Sequence, residues 1–166
     1  MATAHRARKL SSSASAAAAA RRGVSDSILV WNTTTVPNGT YFVKVVASDS
    51  PANSLGTALS GELESTAFQI DNSPPDFSAI TARLDGGRTI VTFDVKDEDS
   101  PIRRVEFSQD GQRWRVAFPS DGIADSREEH YELAVDGELG ERGLTLRASD
   151  SMNNVATIHV DPPSRR

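Results

Sequence analysis

Six residues have the types and spacing for chemistry: Asp71, Asn72, Asp97, Asp99, Asp150 and Asn154. They lie in three separated stretches, Asp71-Asn72, Asp97-Glu98-Asp99 and Asp150 to Asn154. Carboxylates and side-chain amides are hard oxygen donors, and calcium takes about six to eight such oxygens. Asp and Asn are also good turn formers that cap their own backbones. From the residues alone, both readings stand.

Other candidate groups point away from catalysis. The histidines are His5, His130 and His159. None accompanies a recognisable Ser or Cys nucleophile, and a Gly-x-Ser-x-Gly elbow is missing from the sequence. Zinc-ligand spacing is missing as well. Glu128-Glu129 and Glu138 with Glu141 are acid pairs, but glycosidases need two carboxyls facing each other across a cleft. These are expected on turns and exposed strand ends. Ser108-Gln109-Asp110-Gly111-Gln112-Arg113-Trp114 approaches the Asp-box of sialidase-type propeller blades, yet a hairpin turned by Asp-Gly accounts for it. Trp31, Tyr41 and Trp114 could form a sugar-stacking face, but alternation puts Tyr41 and Trp114 towards a core. The expectation is a chain that is not an enzyme, with no catalytic residue and no obligate cofactor.

Composition narrows the class. The chain of 166 residues has room for one or two small domains. With 37% hydrophobic and 6% aromatic residues, modest cores are expected. Cysteine is absent, which excludes disulfides and thiol chemistry. The net charge of −5 is uneven, because Arg6, Arg8, Lys9, Arg21 and Arg22 are not balanced by any acid before residue 23. An acidic body argues against nucleic-acid binding, which needs clustered cations. No apolar run is long enough to span a membrane.

The elements that position these residues are strands. Ala47-Ser48-Asp49-Ser50 with Asn53 returns as Ala148-Ser149-Asp150-Ser151 with Asn154, an offset of 101 residues. Each copy follows an alternating run, so each reads as a strand entering a polar turn in two copies of one module. Residues 1–23 read as a disordered, basic, Ala/Ser-rich leader: a poor secretory signal, a transit peptide or a plain unstructured segment. Alanine's helix propensity would favour a local helix there. Residues 24–72 carry about three strands, at 28–31, 41–47 and 67–70, with a loop over 51–64. Residues 73–76 form a Pro-stiffened linker. Residues 77–162 carry seven alternating runs, a full complement for a sandwich. Their inward faces are Val91, Phe93, Val95; Val105, Phe107; Trp114, Val116, Phe118; Tyr131, Leu133, Val135; Leu144, Leu146, Ala148; and Ala156, Ile158, Val160.

WNTTTVPNGTYFVKVVASDSPAN followed by FQIDNSPP resembles the tandem immunoglobulin-like or fibronectin type III-like modules of secreted bacterial proteins. The likeness continues through Ser108 to Gly111 with Trp114, and through Arg147 to Asp150 with Asn154. It implies an all-β, immunoglobulin-like β-sandwich: one complete module preceded by a truncated half-module and the leader. It further implies a non-enzymatic spacer or binding platform of an extracytoplasmic or secreted protein, as the tail of something longer, with a protein or glycan partner. The alternative is a calcium-dependent adhesion or carbohydrate-binding module. Gly39 and Tyr41 are similar to the glycine and tyrosine of a tyrosine corner, whereas Gly140 and Arg142 stand at the corresponding places of the second copy. The half-module's open apolar face is expected to favour self-association. In such a sandwich the N-terminus, the turn after the second strand and the turn after the sixth lie at one end. Asp71, Asn72, Asp97, Asp99, Asp150 and Asn154 are thereby expected to meet around a calcium ion.

Overall fold

The computed structural model describes residues 2–6, 30–49, 53 and 56–163. The rest of the leader, with its alanine run, and Ile28-Leu29 lie outside them. The chain divides into two compact units, Met1–Ile70 and Asp71–Arg166. Among the described residues both are all-β, and no helix is long and apolar enough to cross a membrane.

The first unit is one antiparallel sheet of β1 (Ala2–Arg6), β2 (Gly39–Ser48), β3 (Ser60–Glu64) and β4 (Phe68–Ile70). The long β2 pairs with β1 on one side and with β3 and β4 on the other. Two of these strands depart from expectation. Residues 2–6 belong to the stretch read as a disordered leader but pair with Tyr41–Val45, and Ser60–Glu64 lies in the expected loop. Neither segment carries an alternating set of large apolar residues. A strand edge offers a row of unpaired N–H and C=O groups, and these segments satisfy it. Conversely, Val30 and Trp31 lie outside any strand. Trp31 instead packs edge-on against Tyr41 and Phe68, with ring centroids 6.4 Å apart in each case. Tyr41 is buried, and its hydroxyl donates to Pro37 O at 2.7 Å. This bond ties the turn before β2 to the strand's inner face. Val45, Leu59 and Leu63 are exposed, Leu63 at 76%.

The second unit contains β5 (Asp76–Asp85), β6 (Arg88–Lys96), β7 (Ile102–Ser108), β8 (Arg115–Ala117), β9 (Glu128–Asp136), β10 (Leu144–Asp150) and β11 (Val155–Val160). They form two antiparallel sheets, ordered β5-β6-β9 and β11-β10-β7-β8. Both sheets contribute to one apolar cluster. It includes Val91, Phe93 and Val95 of β6, Val105 and Phe107 of β7, Tyr131 and Val135 of β9, and Leu144, Leu146 and Ala148 of β10. These are the alternating positions expected, because successive side chains of a strand point to opposite faces. Phe93 is fully buried, stacked on Tyr131 at 5.0 Å and tilted against Phe77 at 5.9 Å.

The phase of β8 is the reverse of that expected. Register pairs Ala117 with Val105 and Val116 with Glu106. Ala117 therefore faces the core, while Val116 and Phe118 are 40% and 71% exposed. Trp114 is half-buried on the outer face, with the Arg147 guanidinium carbon 4.1 Å from its ring centroid. Arg147 in turn donates to Glu106 at 2.6 Å.

Tyr131 carries a buried hydroxyl with no hydrogen-bond partner. Burial, with the Glu129 and Asp121 carboxylates nearby, pushes its phenol far above the usual tyrosine range. An unsatisfied buried polar group costs about 1–3 kcal/mol. Tyr131→Phe keeps the stacked ring and removes that group. It is expected to raise unfolding stability by about 1 kcal/mol in urea melts.

Candidate cation site

The turn following β6 begins at Asp97. Its Oδ1 accepts the amides of Asp99 at 2.9 Å and Ser100 at 2.8 Å, closing the turn into β7. Its own amide donates to Arg127 O. The turn after β10 is built the same way. Asp150 Oδ1 accepts the amides of Met152 and Asn154, and its Oδ2 accepts Asn154 Nδ2 at 2.7 Å. Asn153 sits at φ 69°, a left-handed conformation that asparagine tolerates. Asp71, which precedes β5, accepts the Ser73 amide on Oδ1. Its backbone oxygen accepts Asn154 Nδ2 at 3.0 Å. The Asn154 amide thus bridges Asp71 and Asp150.

These turns bring three carboxylates together. Asp71, Asp97 and Asp150 each present an oxygen, all within 4.8 Å of one another. The residues are 8%, 4% and 0% exposed. Asp97 Oδ2 is buried without a hydrogen-bond partner, and so is the hydroxyl of Ser100 on the same turn. Neither Asp97 nor Asp150 forms an ion pair with a described residue. At an effective dielectric of about 20, two unit charges at this spacing repel by roughly 3–4 kcal/mol. A divalent ion among them would turn that repulsion into attraction.

Of the six residues singled out from the sequence, Asp71, Asp97 and Asp150 converge and Asn154 holds two of them in place. Asp99 is exposed, and its backbone amide serves the Asp97 turn. Asn72 is half-buried beside Asp71. Ser100, Ser126 and Arg127 were not singled out. Ser126 O accepts the Ile102 amide and Arg127 O the Asp97 amide, so the 125–127 loop props the acidic turn. Glu129 holds that loop: its Oε1 accepts the amides of Asp125 and Ser126 at 2.9 and 2.8 Å. Glu129 was expected on an exposed strand end, yet it is 4% exposed. The signal was available, since it shares the phase of Tyr131, Leu133 and Val135 along β9.

The copy of the turn in the first unit is used differently. Asp49 Oδ1 accepts the Leu59 amide, and Asp49 is exposed. Other candidate groups are likewise engaged locally. His130 Nδ1 lies 2.6 Å from Asp94 Oδ1 on an exposed face, and His159 neighbours Asp161. Asp110 caps the β7–β8 turn, accepting the Gln112 and Arg113 amides and the Ser108 hydroxyl.

The Arg113 amide, then the Gln112 amide, holds the Asp110 carboxyl below its ordinary range. A carboxylate depressed in the folded state stabilises at pH above its unfolded pKa. That contribution is lost as pH falls through the folded value. Asp110→Asn should therefore lower Tm at neutral pH, and the difference from wild type should vanish under acid. Paired thermal melts across the carboxylate range check this.

Comparison with protein-family models, curated proteins and solved structures finds no match.

Proposed function

We propose that the chain is a non-enzymatic structural or interaction module of the immunoglobulin-like or fibronectin type III-like kind. The observation that carries this reading is the strand order of the second unit. Strands one, two and five form one sheet, and strands seven, six, three and four the other. Immunoglobulin-type sandwiches likewise put strands one, two and five on one sheet and three, six and seven on the other, while the fourth strand here joins the second sheet instead of the first. The bond from Tyr41 to Pro37 O supports a tyrosine corner in the first unit.

Local engagement of many of the reactive side chains supports that role. Asp97, Asp110, Glu129 and Asp150 close turns, and Arg147 covers the face of Trp114. Such a body suits a spacer or platform, and the resemblance to secreted modules supports an extracytoplasmic setting. The competing sugar-binding reading needs an open aromatic face. Affinity electrophoresis of the full chain through gels containing soluble polysaccharides tests the choice. Unchanged migration is expected; retardation that Trp114→Ala removes would overturn the spacer reading.

A further inference from the structure

We infer that Asp71, Asp97 and Asp150 bind a calcium ion. The inference stands on the side chains of the second unit and does not depend on its assignment to any module type.

Turn capping alone brings acids together without any ion. Capping here is done by Oδ1 of each aspartate, through the amides of Ser73, of Asp99 and Ser100, and of Met152 and Asn154. Capping leaves Asp97 Oδ2 unexplained. That oxygen belongs to a side chain more than nine-tenths buried, lacks a hydrogen-bond partner and sits on a carboxylate that faces two others. A buried anionic oxygen without a donor is costly unless a cation meets it.

The donor set and spacing choose the cation. All three ligands are carboxylates, which suit hard cations; imidazole and thiolate, favoured by zinc and copper, do not contribute. Oxygens held by one calcium at about 2.4 Å each can stand up to about 4.8 Å apart. Magnesium, at about 2.1 Å and strictly octahedral, demands a tighter cluster. Three oxygens within 4.8 Å of one another need at most a small closing movement to meet on calcium, and a larger one to meet on magnesium. Bound calcium would fasten the Asp71–Pro75 segment to the turns after β6 and β10, adding to the Asn154 bridge.

The test uses the full chain and calcium chloride alone. Titration calorimetry should show one site with a Kd of about 0.1–1 mM, the range of extracellular modules. Calcium at about 1 mM should raise Tm relative to EDTA, by more than magnesium does at the same concentration. Asp97→Asn keeps the Oδ1 acceptor and removes the charge. It should weaken calcium binding at least tenfold, while in EDTA its Tm should equal or exceed that of wild type. Asp150→Asn serves if Asp97→Asn does not fold, and Asp99→Asn should leave binding unchanged. Absence of both heat and Tm shift at about 10 mM calcium would overturn the site. So would full calcium binding by Asp97→Asn, and an equal magnesium response would overturn the choice of ion. The EDTA melt reports on the module itself, so failure of the fold and failure of the site are separable.

Discussion

Phe93→Ala is expected to cost the second unit about 3–5 kcal/mol, the usual range for truncating a buried aromatic. Phe93 is fully buried in the middle of β6, between the rings of Phe77 and Tyr131. Its removal takes away burial and leaves a cavity that the stacked partner cannot collapse into. Small domains are stable by only about 5–15 kcal/mol, so most of the folded state's margin is at stake. Urea melts of residues 71–166, in which Trp114 is the only tryptophan, followed by fluorescence measure the loss. Phe93→Leu, which fills part of the space, should cost distinctly less. A loss below about 1 kcal/mol for the alanine variant would mean that the two sheets do not share this core.

Glu129→Ala is the second large effect. Its carboxylate is buried and accepts two loop amides, at Asp125 and Ser126. Truncation leaves both without their acceptor, and a loss of about 2–3 kcal/mol is expected. Glu129→Gln keeps an acceptor and should lose less. The loop also supplies Ser126 O to Ile102 and Arg127 O to Asp97, and Arg127 Nη1 donates to Glu98 O. Glu129 is therefore a positioning residue for the Asp97 turn, and its alanine variant should bind calcium more weakly as well as melt earlier. Unchanged calcium titration in a destabilised Glu129→Ala would show that the loop supports the core and not the site.

The second unit's seven strands were legible because long half-buried strands alternate, and Val91-Phe93-Val95 or Leu144-Leu146-Ala148 admit one phase only. β8 was not. It spans three residues between Trp114 and Phe118, and the alternation of Arg-Trp-Arg-Val-Ala-Phe points Trp114, Val116 and Phe118 inward, the opposite of the phase adopted. The Asp110-Gly111 turn fixes the register instead, pairing Ala117 with Val105. β1 and β3 were illegible for a different reason: neither sequence carries an alternating set of large apolar residues, and each pairs along its backbone with an edge of β2. The acids of the site could be read as turn residues at one end of a sandwich. Asp97 and Asp99 share one pleat phase, so only the local turn separates them, whereas Glu129 and not Glu128 shares the phase of Tyr131.

Residues 71–166 are expected to fold alone as one seven-strand body. Equilibrium urea unfolding of this segment, with Trp114 fluorescence reporting one sheet and far-UV circular dichroism both, should give a single sigmoidal transition in which the two signals coincide. Separate midpoints, or a gradual loss of signal without a transition, would contradict it.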